Sequence, residues 1–462
     1  MNEPNEPNEP NEPNEQTLTS LSLALAQQRQ TATALTRQAL DRIADPQGEG
    51  RRVFTRVYGD WAQQQAIESD QRRQAGTPLS PLDGIPVSIK DLFDVAGDTT
   101  TAGSRVLSDA PAAVAHAAVV TRLLRAGAVI VGKTNMTEFA YSGLGLNPHY
   151  GTPRNPWDRA TGRIPGGSSS GAAVSITDGM SYGAIGSDTG GSVRIPAAFC
   201  GLTGFKPTAR RVEQTGVLPL SASLDSVGVL AHDVAGCQLL DSVIARQSLT
   251  PEPKSLARAR FAVATTLVLD GLDDAVAAAF NHTLTRLSRA GATLIELPCQ
   301  PFAELAQINA GGGFTALESW QWHRALIARR ADSYDPRVLS RIRKGEALGE
   351  REAGELAAAR ADWQRRVAAL WQSFDAVLMP TVPMAAPSIA ELEGSEDAYF
   401  FANGRSLRNT GTINFLDGCA LSLPCHQPGE APVGLMVAGL PFRDGEVLAW
   451  ASAIEKHLAQ TA

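Results

Sequence analysis

The chain contains Gly-Gly-Ser-Ser-Ser-Gly at residues 166–171 and Asp-Thr-Gly-Gly-Ser-Val-Arg at residues 188–194, two turns built largely from glycine and serine. Small residues after the first turn predict a helix over residues 172–180, and an apolar run at residues 184–186 predicts a short strand before the second. A further helix is predicted over residues 192–199. Helices and strands therefore alternate around both turns, which is typical of a sheet covered by helices.

The same alternation extends outward along the chain. β-branched residues predict a strand ending at Lys90, and an Ala-Val-Ile-Val run predicts a buried strand at residues 128–131. Further predicted elements are helices within residues 17–43, 53–76, 115–127 and 302–374, and a strand at residues 376–380. We find no internal repeat and no linker in this part, so residues 17–462 are interpreted as one large α/β domain.

Composition and charge exclude several classes of protein. The 462 residues include 41 Lys and Arg against 48 Asp and Glu, a formal charge of −7, which argues against a nucleic-acid partner. Hydrophobic residues make up 43% and charged residues 19%, against about 25% charged in an average soluble domain, so a large core can form. The five cysteines are odd in number and lack metal-ligand spacing. We therefore expect neither a disulfide framework nor a metal site, and a cytoplasmic location.

The N-terminus differs from the rest of the chain. Residues 1–16 contain four Asn-Glu-Pro triplets and are polar, acidic and interrupted by proline, so we interpret them as a disordered tail. No basic and apolar secretion signal is present there. No apolar run in the chain approaches the roughly 18 residues of a membrane span, so no membrane association is expected.

Two patterns match known motifs but lie in unsuitable surroundings. Residues 127–134 fit the phosphate-loop pattern, yet their centre is apolar and β-prone, so we interpret them as a buried strand followed by a loop rather than an ATP site. Residues 167–171 fit the nucleophile elbow of α/β-hydrolases, with Ser169 as the nucleophile. That elbow follows a strand, whereas residues 155–165 have the composition of a loop, so this interpretation is disfavoured.

The remaining motifs resemble those of the amidase signature family. The segments that carry the resemblance are residues 83–91, 132–140, 150–156, 166–174, 186–201, 204–208 and 432–435. Together they cover most of residues 80–230. The resemblance implies an enzyme that hydrolyses linear amides, a central mixed β-sheet with helices on both faces, a small-molecule amide as substrate, no cofactor, and a homodimer.

The resemblance also implies a Ser-Ser-Lys catalytic triad. Ser192 matches the acyl-accepting nucleophile, Ser168, 24 residues earlier, matches the bridging serine, and Lys90 matches the base. The chemistry agrees, because no histidine lies in these motifs and a lysine is then the available base. Lysine acts as a base only when neutral. Since an exposed lysine titrates at about 10.4, we expect burial to lower the pKa of Lys90.

An oxyanion hole is predicted at the second turn. Attack on an amide carbonyl builds negative charge on oxygen, and backbone N–H groups flanked by glycine can bind that charge because no side chain intervenes. The residues concerned are Thr189, Gly190, Gly191 and Ser192. The start of the following helix is expected to assist. In the family the peptide bond at the bridging serine is cis, which places it between Gly167 and Ser168.

Three further residues are expected to support the site. Asp188 and Arg194 match family positions and are interpreted as holding the second turn by hydrogen bonds without touching substrate. Ser169 is expected to hydrogen-bond Lys90.

Two alternatives to a free-standing amidase share the same fold. One is the glutamine-hydrolysing A subunit of a tRNA-dependent amidotransferase, which works with partner subunits. That subunit typically carries Gln where this chain has Ile195, and residues 208–216 depart from its usual Tyr-Gly-Arg run, so the free amidase is favoured. The other is an inactive scaffold protein, which is disfavoured because all three triad positions are intact.

Substrate identity is the least determined property. We expect the acyl pocket to involve Met136 and residues 141–147, 311–322 and 399–415. Aromatic side chains in these segments favour an apolar or aryl acyl group; they are Phe314, Trp320, Trp322, Tyr399, Phe400 and Phe401. Arg405 or Arg408 would instead favour a carboxylate, and the two possibilities stay open.

Overall fold

Eleven strands form one sheet in the described part of the computed structural model, residues 16–249 and 252–460. In chain order the strands are β1 (Phe54–Val57), β2 (Pro86–Lys90), β3 (Val129–Thr134), β4 (Gly183–Asp188), β5 (Thr203–Lys206), β6 (Ser226–Ala231), β7 (Arg260–Ala264), β8 (Thr293–Leu297), β9 (Ala376–Pro380), β10 (Cys419–Pro424) and β11 (Gly434–Gly439). They lie in the order β1-β3-β2-β4-β6-β5-β10-β11-β9-β7-β8.

Sixteen α-helices accompany the sheet within the described residues. They are α1 (Leu18–Ala26), α2 (Ala32–Ala44), α3 (Gly50–Val53), α4 (Gly59–Gln74), α5 (Ala118–Arg125), α6 (Ser170–Thr177), α7 (Arg194–Cys200), α8 (Val234–Ile244), α9 (Asp274–Arg289), α10 (Pro301–Ile308), α11 (Gly313–Arg330), α12 (Pro336–Arg343), α13 (Glu350–Trp371), α14 (Ile389–Gly394), α15 (Glu396–Leu416) and α16 (Asp444–Gln460).

The sheet is mixed, and its parallel part positions the catalytic candidates. Strands β3, β2 and β4 run parallel side by side, as do β9, β7 and β8, whereas the other neighbours are antiparallel. Carboxyl ends of neighbouring parallel strands meet at one edge of a sheet, where α/β proteins usually bind ligands. Lys90 ends β2, and the turn that contains Ser192 directly follows β4. Sheet topology therefore brings together two residues that lie 102 positions apart in the chain.

Helices cover both faces of the sheet, as the resemblance implied. Successive residues of a strand point to opposite faces. In β11, Leu435 and Val437 belong to one hydrophobic cluster, while Met436 and Ala438 belong to another that includes Trp363 of α13. Both clusters are formed by buried side chains, so the sheet lies between two packed layers. This confirms the predicted α/β architecture.

Two predicted helices are interrupted. The pattern over residues 17–43 divides into α1 and α2, because the hydroxyl of Thr31 accepts a hydrogen bond from the N–H of Ala34 and starts a new helix. The helix predicted over residues 53–76 was wrong at its start, where β1 occupies four residues. Phe54 pairs with Thr134 at the edge of the sheet, and this long-range pairing outweighs local helix propensity.

Several other sequence predictions have clear outcomes. The phosphate-loop pattern at residues 127–134 contains β3, whose six residues are all buried. The buried strand was predicted, but it continues to Thr134, where a loop was expected. Residues 155–165, before the candidate elbow serine, contain no strand beyond a single bridge at Arg163. Across the described residues, every helix is too short or too polar to cross a membrane. The predicted tail at residues 1–16 lies, except for Gln16, outside the described residues.

Candidate active site

Lys90 is fully buried at the carboxyl end of β2. Its Nζ donates hydrogen bonds to Oγ of Ser168 at 2.7 Å and to Oγ of Ser187 at 2.8 Å. Burial lowers the pKa of Lys90 to about 7, although the negative charges of Asp188 and Asp225 act in the opposite direction. A large fraction of Lys90 is therefore neutral at neutral pH, as a base must be.

Two backbone hydrogen bonds hold the first turn at Gly167 and Ser168. The Gly167–Ser168 peptide bond is cis, as the resemblance implied. The Ser168 carbonyl accepts a hydrogen bond from the N–H of Thr137 at 3.1 Å, and the N–H of Gly167 donates to the carbonyl of Gly143 at 2.8 Å. Gly167 is required here because a Cβ would lie 2.5 Å from the backbone nitrogen of Gly145. Ser168 itself is fully buried.

Ser192 lies in the second turn, between β4 and α7, and lines a cavity formed by described residues. The two turns are joined by a hydrogen bond from the N–H of Ser169 to the carbonyl of Ser192 at 3.2 Å. Within the described part of the chain, the Ser192 hydroxyl forms no hydrogen bond, and none connects it to Ser168. Catalytic hydrogen bonds are often long without substrate and tighten in the complex.

The backbone of the second turn leaves N–H groups available. Within the described residues, the N–H groups of Gly190, Gly191 and Ser192 donate no hydrogen bond. Gly191 has φ 135°, and a Cβ there would lie 2.1 Å from Oγ1 of Thr410. That hydroxyl donates to the Gly190 carbonyl at 2.6 Å, which fixes the turn from the side of α15. Available donors on a fixed turn can bind a developing oxyanion.

Asp188 and Arg194 form a fully buried ion pair beneath the second turn, with 2.8 Å between Oδ1 and Nη2. Oδ2 of Asp188 also accepts the N–H of Val193 at 3.1 Å. Asn414 of α15 joins them, since its Nδ2 donates to Asp188 and its Oδ1 accepts from Arg194. Burial alone raises the pKa of Asp188, but the charge and hydrogen bonds of Arg194 outweigh burial and hold it well below its usual range. Removing one partner of such a pair typically costs about 3–5 kcal/mol.

Ser169 has a different partner from the one expected. Its Oγ donates to the backbone carbonyl of Ser187 at 3.4 Å, and no hydrogen bond joins it to Lys90 within the described residues. The second partner of Lys90 is the hydroxyl of Ser187. Ser187 is the penultimate residue of β4, and its only sequence signal was its place in the Gly-Ser-Asp-Thr run before the second turn.

Asp225 and Thr189 form a contact that sequence reasoning missed. Oγ1 of Thr189 donates to Oδ1 of Asp225 at 2.5 Å, while Oδ2 of Asp225 accepts the N–H groups of Leu220 and Ser221. Burial raises the pKa of Asp225 to about 6, although these hydrogen bonds lower it. The second turn is thus tied to the segment that includes Leu220, a residue of the cavity wall.

The cavity beside Ser192 has a volume of about 460 Å³. Its lining residues are Ala140, Tyr141, Ser142, Thr189, Gly190, Ser192, Leu220, Leu224, Leu267, Leu305, Ala306, Asn309, Gly312, Thr315, Arg341, Gly404, Leu407, Arg408, Gly411, Asn414 and Phe415. Three of the predicted segments contribute to it, residues 141–147, 311–322 and 399–415. Met136 is fully buried and does not line the cavity.

The six aromatic side chains proposed for the pocket do not line it. Phe314 and Tyr399 are buried, and Trp320 packs against the main core. Trp322, Phe400 and Phe401 are exposed, the last by 68%. Of the two candidate arginines, Arg408 lines the cavity, whereas Arg405 forms an ion pair with Asp273.

The cysteines and potential metal ligands play no visible part in this site. All five cysteines are buried and free, and burial raises the pKa of the Cys200 thiol well above its ordinary value. Among the described residues, no cluster of three or more His, Cys, Asp and Glu side chains is placed to hold a metal ion.

Comparison with known proteins places the chain in a family. The Amidase family model matches residues 34–448. The 2-amino-5-chloromuconic acid deaminase of Comamonas testosteroni is 36% identical over 413 residues, which cover 87% of this chain and 89% of that protein. The A subunit of the glutamyl-tRNA(Gln) amidotransferase of Chloroflexus aggregans is 33% identical over 473 residues, covering 94% of each. The crystal structure of an amidase superimposes with a TM-score of 0.86 at 30% identity, covering 95% of this chain and 99% of the other. The chain therefore belongs to the amidase signature family of amide-hydrolysing enzymes.

Proposed function

We propose that this enzyme hydrolyses the C–N bond of a linear amide to a carboxylate and ammonia or an amine, through an acyl-enzyme on Ser192. The observation that carries the proposal is the 2.7 Å contact between Nζ of the fully buried Lys90 and Oγ of Ser168. A lysine is placed inside the protein at high cost in hydration. Catalysis by a neutral amine accounts for that position.

Acylation begins with two linked proton transfers. Neutral Lys90 takes the proton of the Ser168 hydroxyl, and Ser168 takes the proton of Ser192. The Ser192 oxygen forms a bond to the amide carbon, and the carbonyl electron pair moves to oxygen. Backbone N–H groups of Gly190 and Gly191 bind the resulting oxyanion, a contribution that is typically worth about 10²–10³ in rate for one donor.

The same residues then return the protons. The tetrahedral intermediate collapses, so the carbonyl re-forms and the C–N bond breaks. The leaving nitrogen accepts a proton from Ser168, and Lys90 gives a proton back to Ser168. Water attacks the acyl-enzyme with Lys90 and Ser168 again accepting the proton. Departure of the Ser192 oxygen, with a proton from Ser168, completes the cycle.

Release of ammonia from simple amides tests the proposal. The panel is acetamide, benzamide, malonamate, glutamine, a urea derivative and an anilide, the last assayed by release of aniline. We expect turnover of at least one of these by the wild type, and loss of turnover in Ser192→Ala and Lys90→Ala. Mass spectrometry of rapidly quenched wild type should show Ser192 carrying the acyl group. Turnover that persists at the wild-type rate in Ser192→Ala or in Lys90→Ala would contradict the mechanism.

The A subunit of an amidotransferase is the second candidate, and similarity to such subunits over 94% of the chain favours it. Ile195 is the feature against it. Its side chain is fully buried, and its Cδ1 lies 2.6 Å from where a Cβ on Gly191 would stand. The position that typically carries Gln in that subunit is thus occupied here by a buried apolar side chain. Ammonia release from glutamine only, together with co-purification of partner subunits, would favour this candidate.

The remaining expectations concern the state of the protein. We propose a homodimer, which analytical ultracentrifugation tests, and a cytoplasmic location, which cell fractionation tests. Residues 1–16 are proposed to lie outside the catalytic domain. Their removal should leave the kinetics of the panel unchanged.

A further inference from the structure

The charge of the cavity is unbalanced. Most of its wall is apolar and includes five leucines, and its two charged side chains, Arg341 and Arg408, are both cationic. Within the described residues, neither arginine has a carboxylate within 4.0 Å, the limit for an ion pair. Both arginines are partly exposed, and an anion that enters the cavity can form charge-assisted hydrogen bonds with their guanidinium groups.

Arg408 lies close to the second turn. It precedes Gly411 by three residues in α15, and a Cβ on Gly411 would lie 4.0 Å from the carbonyl oxygen of Gly190. Three residues of α-helix correspond to a rise of about 4.5 Å. Along α15, the Cα of Arg408 is therefore less than one helical turn from Gly411, where the helix meets the second turn.

The guanidinium of Arg408 is held but not neutralised. Its Nε donates to Oδ1 of Asn409 at 3.1 Å, and its Nη2 donates to the carbonyl of Val268 at 3.4 Å. Nη1 has no partner among the described residues. Burial lowers the pKa of Arg408, the charge of Asp270 raises it, and the charge of Arg405 lowers it. Arginine stays protonated in proteins, so a fixed positive charge faces the cavity.

Arg341 presents a second cation from α12. Its guanidinium stacks on the ring of Tyr141, 4.3 Å from the centroid, and Nη1 donates to the Tyr141 carbonyl. Nε and Nη2 have no partner among the described residues, which leaves one edge of the planar group available for a bidentate carboxylate. Arg405 provides the contrast. It lies three residues before Arg408 in α15, but it pairs with Asp273 and binds two backbone carbonyls outside the cavity.

We propose that this cavity selects amides that carry a carboxylate a few carbons from the scissile bond, and that Arg408 binds this carboxylate with the help of Arg341. The inference rests on the proposed function, since it names the substrate class of the same site. Two arginines supply the charge, and the leucine-rich wall packs against the carbons between the carboxylate and the amide. The carboxylate can belong to the acyl part or to the amine part, and both fit the observed charges.

Matched pairs of substrates test the proposal. In the first pair, glutaramate carries a carboxylate on the acyl side and hexanamide does not. In the second pair, N-butanoyl-β-alanine carries a carboxylate on the amine side and N-butylbutanamide does not. We expect wild type to prefer the acidic member of at least one pair, by about 10- to 100-fold in kcat/KM, as hydrogen bonds to charged groups typically contribute. Arg408→Gln should reduce that preference by a similar factor, mainly through KM, and Arg408→Lys should restore part of it.

Arg405→Gln is the matched control, and its preference should equal that of the wild type. A purely structural role of Arg408 would lower kcat/KM equally for both members of a pair and leave the preference unchanged, which would overturn the proposal. Equal use of acidic and neutral amides by the wild type would also overturn it. A loss of preference in Arg341→Gln but not in Arg408→Gln would overturn the assignment to Arg408.

Binding to the Ser192→Ala variant separates this inference from the catalytic proposal. Calorimetry with glutaramate and hexanamide measures carboxylate recognition even if no amide is turned over. Tighter binding of glutaramate that is lost when Arg408→Gln is added supports the inference whatever the mechanism. Equal binding of the two probes contradicts it, even if Ser192 proves to be the nucleophile.

Discussion

The two turns that carry the candidate catalytic serines and the wall of the cavity are built on different principles. The turns at residues 166–171 and 188–194 lie at strand ends in the middle of the sheet, and their hydrogen bonds reach β2, β4 and α15. The wall is assembled from residues of α10, α11, α12 and α15, six of them from α15, together with residues of the segments between strands. Bond-making chemistry needs geometry held to fractions of an ångström, whereas substrate selection tolerates variation. The difference teaches which part of the molecule can change without loss of the reaction.

Charge is also arranged differently in the two regions. Beneath the turns, Asp188 and Arg194 neutralise each other, and Lys90 is close to neutral because burial lowers its pKa to about 7. In the wall, Arg341 and Arg408 keep positive charges that no described side chain neutralises. The charges beneath the turns are therefore paired, whereas the wall has a surplus of positive charge.

The largest effect is expected for Ser192→Ala. Removing a nucleophile that acts together with its base typically lowers kcat by about 10⁴-fold or more. Steady-state kinetics on the best substrate of the panel measures the loss. Thermal unfolding should be close to that of the wild type, because the hydroxyl forms no hydrogen bond within the described residues. Residual activity within tenfold of the wild type would mean that the reaction centre lies elsewhere.

The next largest effect is expected for Lys90→Met, which keeps the length of the side chain but removes the base. We expect kcat/KM to fall by about 10³-fold, within the usual range for general acid–base catalysis. Wild-type kcat/KM should rise with pH through about 7 and level off above it, because only neutral Lys90 accepts a proton. Lys254→Met is the control, since Lys254 is a partly exposed lysine far from the turns in sequence. A pH profile without this rise would contradict the role of Lys90.

Stability provides an independent measure of the same lysine. The pKa of Lys90 is about 7 in the folded protein and about 10.4 in an unfolded chain. Between these values the unfolded chain binds more protons, so the wild type should gain stability with rising pH. Lys90→Met should lack this gain. Urea unfolding of both proteins at pH 7 and pH 9.5 measures how much the free energy of unfolding changes with pH. An equal change in the wild type and in Lys90→Met would show that Lys90 is not desolvated.

A smaller effect, about 10²-fold in kcat, is expected for Gly191→Ala. The added Cβ would lie 2.1 Å from Oγ1 of Thr410, and φ is 135° in the native turn, so the turn must move. Displacing oxyanion donors typically costs about 10²–10³ in rate. Gly354→Ala is the control, because that glycine of α13 has open space around it. Equal activity of the two variants would show that the turn does not bind the oxyanion.

The smallest effect is expected in the wall. Leu407→Ala removes apolar surface next to the second turn, and we expect the relative use of two neutral amides of different length to change by about tenfold. The same ratio in Leu23→Ala, an exposed leucine of α1, should not change. If Leu407→Ala removed activity as completely as Ser192→Ala, the wall would be needed for the reaction itself. That result would contradict our assignment of substrate selection to the wall and of the reaction to the two turns.

Much of the fold followed from local patterns, and the failures have identifiable causes. Strands such as Pro86–Lys90 and Ala376–Pro380 were predicted with nearly the correct bounds because they combine apolar β-branched residues with turn residues at their ends. The edge strand Phe54–Val57 was missed because it depends on pairing with β3. Such pairing involves a segment far away in the sequence, and no short window contains it.

For the site, motif reasoning found residues that act through local backbone and missed those that act across the fold. Thr410 and Asn414 contact the second turn, yet neither lies in a recognised motif, and Ser187, which contacts Lys90, had only its place in the Gly-Ser-Asp-Thr run as a signal. The prediction that six aromatic side chains line the pocket was wrong because it also depends on contacts between distant parts of the chain. Whether Phe314 or Phe401 faces a cavity depends on helix packing, which composition does not encode.

Local sequence was sufficient for the α/β class and the two turns, and the resemblance to the amidase signature family pointed to the candidate triad. Glycine and serine at fixed spacing specify the backbone of both turns within about 30 residues. The turns can therefore be recognised without information from distant parts of the chain. Only chain packing buried Lys90, lowered its pKa and turned Arg408 rather than Arg405 toward the cavity. Burial and charge pairing are properties of neighbours in space, and those neighbours come from every part of the chain.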